Sequence, residues 1–207
     1  MVQVTTRLRA ILNSPQMYDI YQAVVGAVRF REEILNQYIR PRNQMKILDL
    51  GCGTGRILDY LPNVDYVGID LSEKYITEAQ QRYGGRGTFH AGLAEQAEWL
   101  TNGQFDLVLA IGVLHHLGDL EAKAMIALAT SALRVVGRMV AVDPCFDKQQ
   151  SFFARFLASR DRGQNVRTEQ GYQDLAQPYF STVKGTVRHD LLRIPYTHCI
   201  LECTGRL

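Results

Sequence analysis

Between residues 46 and 144 short apolar runs alternate with amphipathic stretches. "KILDL" (46–50), "DYVGID" (65–70), "GTFHAG" (87–92), "FDLVLAIGVL" (105–114) and "GRMVAVDP" (137–144) read as strands. Between them, "RILDYL" (56–61) starts a helix. "SEKYITEAQQRY" (72–83) is a second helix with Ser72 as its N-cap, and "DLEAKAMIALATSALRV" (119–135) a third. Strands alternating with helices predict βαβ units and a parallel sheet. The strands are near-continuous apolar runs, as expected when both sheet faces are covered. Before this region, "PQMYDIYQAVVGAVRFREEILNQYI" (15–39) places Tyr18, Tyr21, Val25, Val28, Ile34 and Tyr38 three and four apart or in multiples of that spacing. It predicts a helical segment that starts near Ser14-Pro15 and is ended by Pro41. After it, "SFFARFLASRD" (151–161) and "RTEQGYQDLAQPYF" (167–180) read as helices. "STVKGTVRHDLL" and "THCILECTG" read as two late strands, an antiparallel pair at one edge of the sheet.

Composition narrows the class without naming a function. The chain has 207 residues, 46% hydrophobic and 21% charged, with a formal net charge of +2. These values are ordinary for a globular protein and give no electrostatic case for a nucleic-acid or membrane partner. Cys52, Cys145, Cys199 and Cys203 are scattered, with no CxxC pair, so neither a zinc site nor a disulfide framework is expected and no metal is assigned. No apolar run has the length of a signal sequence or a membrane span. The expectation is a soluble, cytoplasmic protein.

The stretch "ILDLGCGTGR" (47–56) carries the strongest local chemistry. Gly51, Gly53 and Gly55 follow the first strand, where an open α/β sheet binds its ligand. Without Cβ atoms, the backbone can approach a ligand closely. A dinucleotide fingerprint needs G-x-G-x-x-G, and here the third glycine position is Arg56. Asp49 just before the loop would repel a pyrophosphate and suits an aminoacyl ammonium. Asp70 ends the second strand about 20 residues on, where a carboxylate can accept from both ribose hydroxyls of an adenosine. The bland alternative, that Asp70 only caps the next helix, is met better by Ser72.

With "ILDLGCGTGR", "YVGIDLSEKYI", "FDLVLAIGVLHHLGD" and "LRVVGRMVAVDP" in this order, residues 45–145 resemble a class I S-adenosylmethionine-dependent methyltransferase. The resemblance implies a Rossmann-like α/β fold: a seven-stranded sheet, mostly parallel with the last strand antiparallel, and helices on both faces. It implies one domain over 1–207, with an N-terminal helical cap (1–43), a cofactor-binding core (44–145) and substrate-side helices with a terminal strand pair (146–207). The implied cofactor is S-adenosylmethionine, leaving S-adenosylhomocysteine as product. Asp49, Gly51, Cys52 and Gly53 would surround its methionine part, Asp70 its ribose and Leu71 its adenine. Many relatives have Gly-Asp-Ala after the third strand. Here the run is "AGLAEQ", so Leu93 takes the place of that Asp, and backbone amides around Leu93 and Ala94, or Glu95, would have to substitute for it at the adenine. Ile111 and Gly112 would pass near the sulfonium.

Methyl transfer is mainly a matter of alignment. A base is needed only where the acceptor loses a proton. His115 and His116 follow the fourth strand, and because an imidazole is the side chain suited to acid–base work near neutral pH either is a candidate general base, with His116 favoured. The alternative is that one of the pair only packs or bonds backbone. Tyr18 and Gln22 on the N-terminal helix, and Arg162 and Arg167 in a Gly-containing basic stretch, are candidate substrate contacts. Packing and structural ion pairs are the alternatives for these four. The expected activity is methylation of an oxygen or nitrogen atom of a small-molecule acceptor, without nucleic acid or membrane. A nucleic-acid or protein methyltransferase and a non-catalytic cofactor-binding protein are the alternatives. The acceptor and the oligomeric state are not encoded in any motif.

Overall fold

The computed structural model describes residues 26–92, 100, 103–160 and 164–207. Its centre is a mixed sheet whose first four strands are β1 (Lys46–Leu50), β2 (Asp65–Asp70), β3 (Gly87–Ala91) and β4 (Phe105–Ile111). The others are β5 (Leu133–Phe146), the two-residue β6 (Arg167–Thr168), β7 (Phe180–Arg188) and β8 (His198–Arg206). The order across the sheet is β3-β2-β1-β4-β5-β8-β7, with β6 beside the end of β5. Strands β1 to β5 pair in parallel, and β8 pairs antiparallel with both β5 and β7. This is the expected sheet with the expected terminal pair, plus the short β6. Strand order reverses between β1 and β4, so the carboxyl ends of these strands open a crevice.

Alternate residues of each strand enter two cores. On one face Leu48, Leu50, Val108, Ala110, Met139, Ala141, Cys199 and Leu201 pack under α3 (Asp119–Ala132) and α5 (Glu169–Ala176), between which the chain forms α4 (Phe152–Ser159). On the other, Ile47, Leu107, Leu109, Val140, Val142 and Ile200 pack under α1 (Ala27–Ile34), its continuing π turn (Leu35–Ile39) and α2 (Glu73–Tyr83). The near-continuous apolar runs follow from this two-sided burial. Arg138 of β5 donates to the carbonyl oxygens of Tyr38 (2.8 Å) and Ile39 at the end of the π turn. A cation thus meets the unsatisfied carbonyls of a helix terminus and ties it to the sheet.

Three elements depart from the sequence expectation. "RILDYL" makes one 3-10 turn (Arg56–Asp59) rather than a helix, and Pro62 leaves little chain in which to propagate one. The fourth strand stops at Ile111, because Gly112 takes a positive φ of 71° and turns the chain. Strand β5 begins at Leu133, straight from α3. Its first part runs past the sheet through a register shift, leaving Val135 and Val136 exposed. Ser72 caps α2 as expected, accepting from the Tyr75 N–H at 3.3 Å.

Candidate active site

The glycine loop is fixed from both sides. The N–H groups of Gly51 and Cys52 both donate to the Ile69 carbonyl, at 2.8 and 3.0 Å. The Gly53 N–H donates to Asp70 Oδ2 at 2.9 Å and the Ser72 N–H to Asp70 Oδ1 at 2.8 Å. Asp70 therefore holds the loop and the start of α2 at once, and each of its oxygens keeps a lone pair for a ligand. Gly51 has φ +75°, and a Cβ there would lie 2.4 Å from Val113 Cγ2. Gly53 has φ +55°, yet a Cβ there would meet nothing within 4 Å. Backbone at Gly53 thus borders open space, a cradle that a side chain would partly fill.

Two cavities meet at this loop, and Gly51 lines both. The larger, about 500 Å³, is bordered by Gly53, Asp70, Leu71, Gly112 and His116. The smaller, about 320 Å³, lies towards α1 and is bordered by Asp49, Cys52, Ile111, Arg31 and Arg56. Both volumes fall in the usual range for small-molecule sites. The structure so brings together Asp49, Gly51, Cys52, Gly53, Asp70, Leu71, Ile111, Gly112 and His116. Tyr18, Gln22, Leu93, Ala94, Glu95 and Arg162 lie outside the described residues. Among the described residues no group of His, Cys, Asp and Glu could hold a metal ion.

Asp49 is 4% exposed, and its Oδ2 accepts from the Tyr66 hydroxyl at 2.6 Å. Burial pushes its carboxyl from the ordinary 3.8 up to about 6; the Tyr66 hydrogen bond opposes that rise and the Asp70 charge adds to it. Burial likewise raises the Cys52 thiol well above the ordinary thiol range, helped by Asp49 and Asp70, so Cys52 supplies backbone and packing rather than a thiolate.

Two residues named from the sequence take positions different from those expected. His115 is buried and borders neither cavity. Its Nδ1 lies 2.7 Å from Asp143 Oδ1, and its backbone N–H donates to the same oxygen at 3.1 Å. A buried ring held this way anchors the turn, with the exposed His116 ring tilted against it, centroids 4.0 Å apart. Arg167 also borders neither cavity. Its guanidinium donates to the carbonyls of Leu114, Leu117 and Asn165 and to Asp119. Those bonds take up its five N–H groups.

Sequence reasoning missed Tyr66, Asp143, Tyr75, Glu121 and Met125; the last three border the larger cavity. The available signal for Tyr66 and Asp143 was a polar group inside an otherwise apolar strand. Such a group needs a buried partner.

Residues 47–137 match a family described as a methyltransferase domain. The chain is 35% identical over 86 residues to a ubiquinone biosynthesis O-methyltransferase of Azorhizobium caulinodans, covering 39% of this chain and 34% of that protein. It is 28% identical over 166 residues to an O-methyltransferase of Pyrenophora dematioidea, covering 71% of this chain and 61% of that one. The chain spans from about a fifth to three fifths of the length of the curated relatives it matches. Among solved structures, the PH0226 protein of Pyrococcus horikoshii shares the fold with a TM-score of 0.64 at 22% identity, covering 94% of this chain and 93% of that one.

Proposed function

The chain belongs to the class I S-adenosylmethionine-dependent methyltransferase family, and from that premise we propose that it methylates an oxygen or nitrogen atom of a small-molecule acceptor. The observation that carries this reading is the pair of cavities divided by Gly51, with Asp70 bordering one and Asp49 the other. A ligand with a ribose at one end and an ammonium at the other fits that polarity. The name of the ubiquinone biosynthesis O-methyltransferase relative supports a small acceptor.

When bound, the cofactor supplies an electrophilic methyl carbon on a sulfonium. The chain's own residues do the rest. Asp70, oriented by the Gly53 and Ser72 N–H groups, accepts from ribose hydroxyls. Asp49, buried at the edge of the smaller cavity, supplies the negative charge that an α-ammonium needs. Gly53 admits close approach of the ligand to the backbone. Asp143 and Arg167 hold the turn that carries His116 to the larger cavity, and His116 takes the proton of an acceptor hydroxyl or ammonium.

Calorimetric titration with S-adenosylmethionine, S-adenosylhomocysteine and NAD tests the premise. Both sulfur ligands bind, NAD does not, and Asp70→Ala weakens binding by about 100-fold, because charge-assisted bonds to the ligand and to Gly53 are lost together. Binding of NAD in preference to both sulfur ligands overturns the reading. Once an acceptor is found by screening phenols and amines, His116→Ala lowers kcat by about 100-fold with S-adenosylhomocysteine affinity unchanged. Equal turnover of variant and wild type across neutral pH removes His116 from the mechanism.

A further inference from the structure

Strand β2 has a glycine, Gly68, directly opposite Asp49 of β1, and Tyr66 opposite Ile47. On the β2 side no side chain therefore stands beside the Asp49 carboxylate, and on the β4 side its opposite residue is the apolar Leu109. The diagonal neighbour two residues back on β2 has about 7 Å to span, a distance a tyrosine ring covers. Tyr66 does so: it is 1% exposed, its ring packs tilted on Phe89 at 5.7 Å, and its hydroxyl reaches Asp49 Oδ2 at 2.6 Å. A phenol in a buried apolar strand is a costly way to fill space unless its O–H has a partner. Here that partner is the carboxylate bordering the smaller cavity.

We propose that Tyr66 is a positioning residue for cofactor recognition: its hydroxyl fixes the Asp49 carboxylate and keeps it anionic beneath the glycine loop, so that the amino-acid end of the ligand meets a charge rather than a neutral acid. The proposal rests on the reading of Asp49 as the partner of the ligand's ammonium. The groups facing Asp49 are Tyr66 and Asp70 from β2, the Cys52 thiol from the loop, and Arg31 of α1 and Arg56 of the 3-10 turn across the shared cavity. Burial and Asp70 favour the neutral acid, and the Tyr66 hydrogen bond favours the anion. Without the phenol the carboxyl holds its proton to higher pH, and recognition of an ammonium weakens first on the acidic side of neutrality.

Tyr66→Phe keeps the ring and removes the hydroxyl. The probes are S-adenosylhomocysteine and 5′-methylthioadenosine, which shares the nucleoside and lacks the amino-acid end. Titrated calorimetrically, the variant matches wild type for S-adenosylhomocysteine within about twofold at about pH 8, and binds it roughly tenfold more weakly at about pH 6. Its affinity for 5′-methylthioadenosine is unchanged at both. Wild type itself shows the same divergence between the two ligands as pH falls below about 6, which needs no variant to fold. Equal weakening at both pH values, or equal weakening for both ligands, overturns the proposal and makes Tyr66 a packing residue. Failure of the wild-type protein to bind either nucleoside instead removes the cofactor reading on which the proposal stands.

Discussion

Asp49→Asn makes the protein more stable and a poorer binder of S-adenosylhomocysteine. In the folded chain the Asp49 carboxyl titrates at about 6 rather than the ordinary 3.8, with burial as the main cause. The folded state thus holds this proton more tightly than the unfolded state does. Stability from this group falls as pH rises from about 4 to about 6, and the whole penalty is present above that. A displacement from 3.8 to about 6 corresponds to about 3 kcal/mol. Asparagine carries no charge to desolvate, and its carbonyl still accepts from the Tyr66 hydroxyl. The variant gains about 2 kcal/mol over wild type at about pH 8, roughly 4–8 °C in Tm for a chain of this size, and nothing at about pH 4. Its affinity for S-adenosylhomocysteine drops by about 10- to 100-fold at about pH 8, because the charge that opposes the ammonium is gone. Urea unfolding at both pH values, paired with calorimetry, checks both signs. A variant less stable than wild type at both pH values would show that Asp49 is there for the fold.

The same carboxylate shows what the sequence did and did not encode. Asp49, Gly51, Gly53 and Asp70 were readable because they lie in two local motifs, each ending a strand, and strand ends are where an α/β sheet binds. His116 was readable for the same reason. The partners that give these residues their properties were not. Tyr66 stands opposite Ile47, and Asp143 within bonding distance of His115, only because β2 and β5 are laid beside β1 and β4 in this order. Periodicity locates a strand but does not choose its neighbour. It also misjudged places where tertiary structure overrides local preference. Val135 reads as the end of a helix, and with Val136 it lies in the exposed first part of β5. The basic stretch around Arg167 read as a substrate clamp because charge and a nearby glycine are visible in sequence, whereas the carbonyls that satisfy a guanidinium are not.

Arg167→Ala destabilises the fold by about 3–4 kcal/mol and lowers turnover without raising the acceptor KM in proportion. The guanidinium is 11% exposed and stacks over the Tyr172 ring at 5.7 Å. Its Nη1 donates to the carbonyls of Leu114 and Asn165, each at 2.9 Å, and its Nη2 to Leu117 at 2.8 Å. The Asp119 pair at 2.7 Å adds little, because that carboxylate is 73% exposed and solvent screens it. The loss comes from the carbonyls. Leu114 and Leu117 bracket His115 and His116, and the Asn165 N–H donates to the His115 carbonyl at 3.0 Å. Truncation unties both ends of the turn that presents His116 to the cavity, so alignment suffers along with stability. Lysine recovers at most about 1 kcal/mol, since one ammonium cannot reach acceptors spread around a planar fork. Urea unfolding of Arg167→Ala and Arg167→Lys, with kcat and KM measured for the same preparations, separates this role from a substrate contact. A true clamp predicts unchanged unfolding free energy in both variants and a raised KM that lysine partly restores.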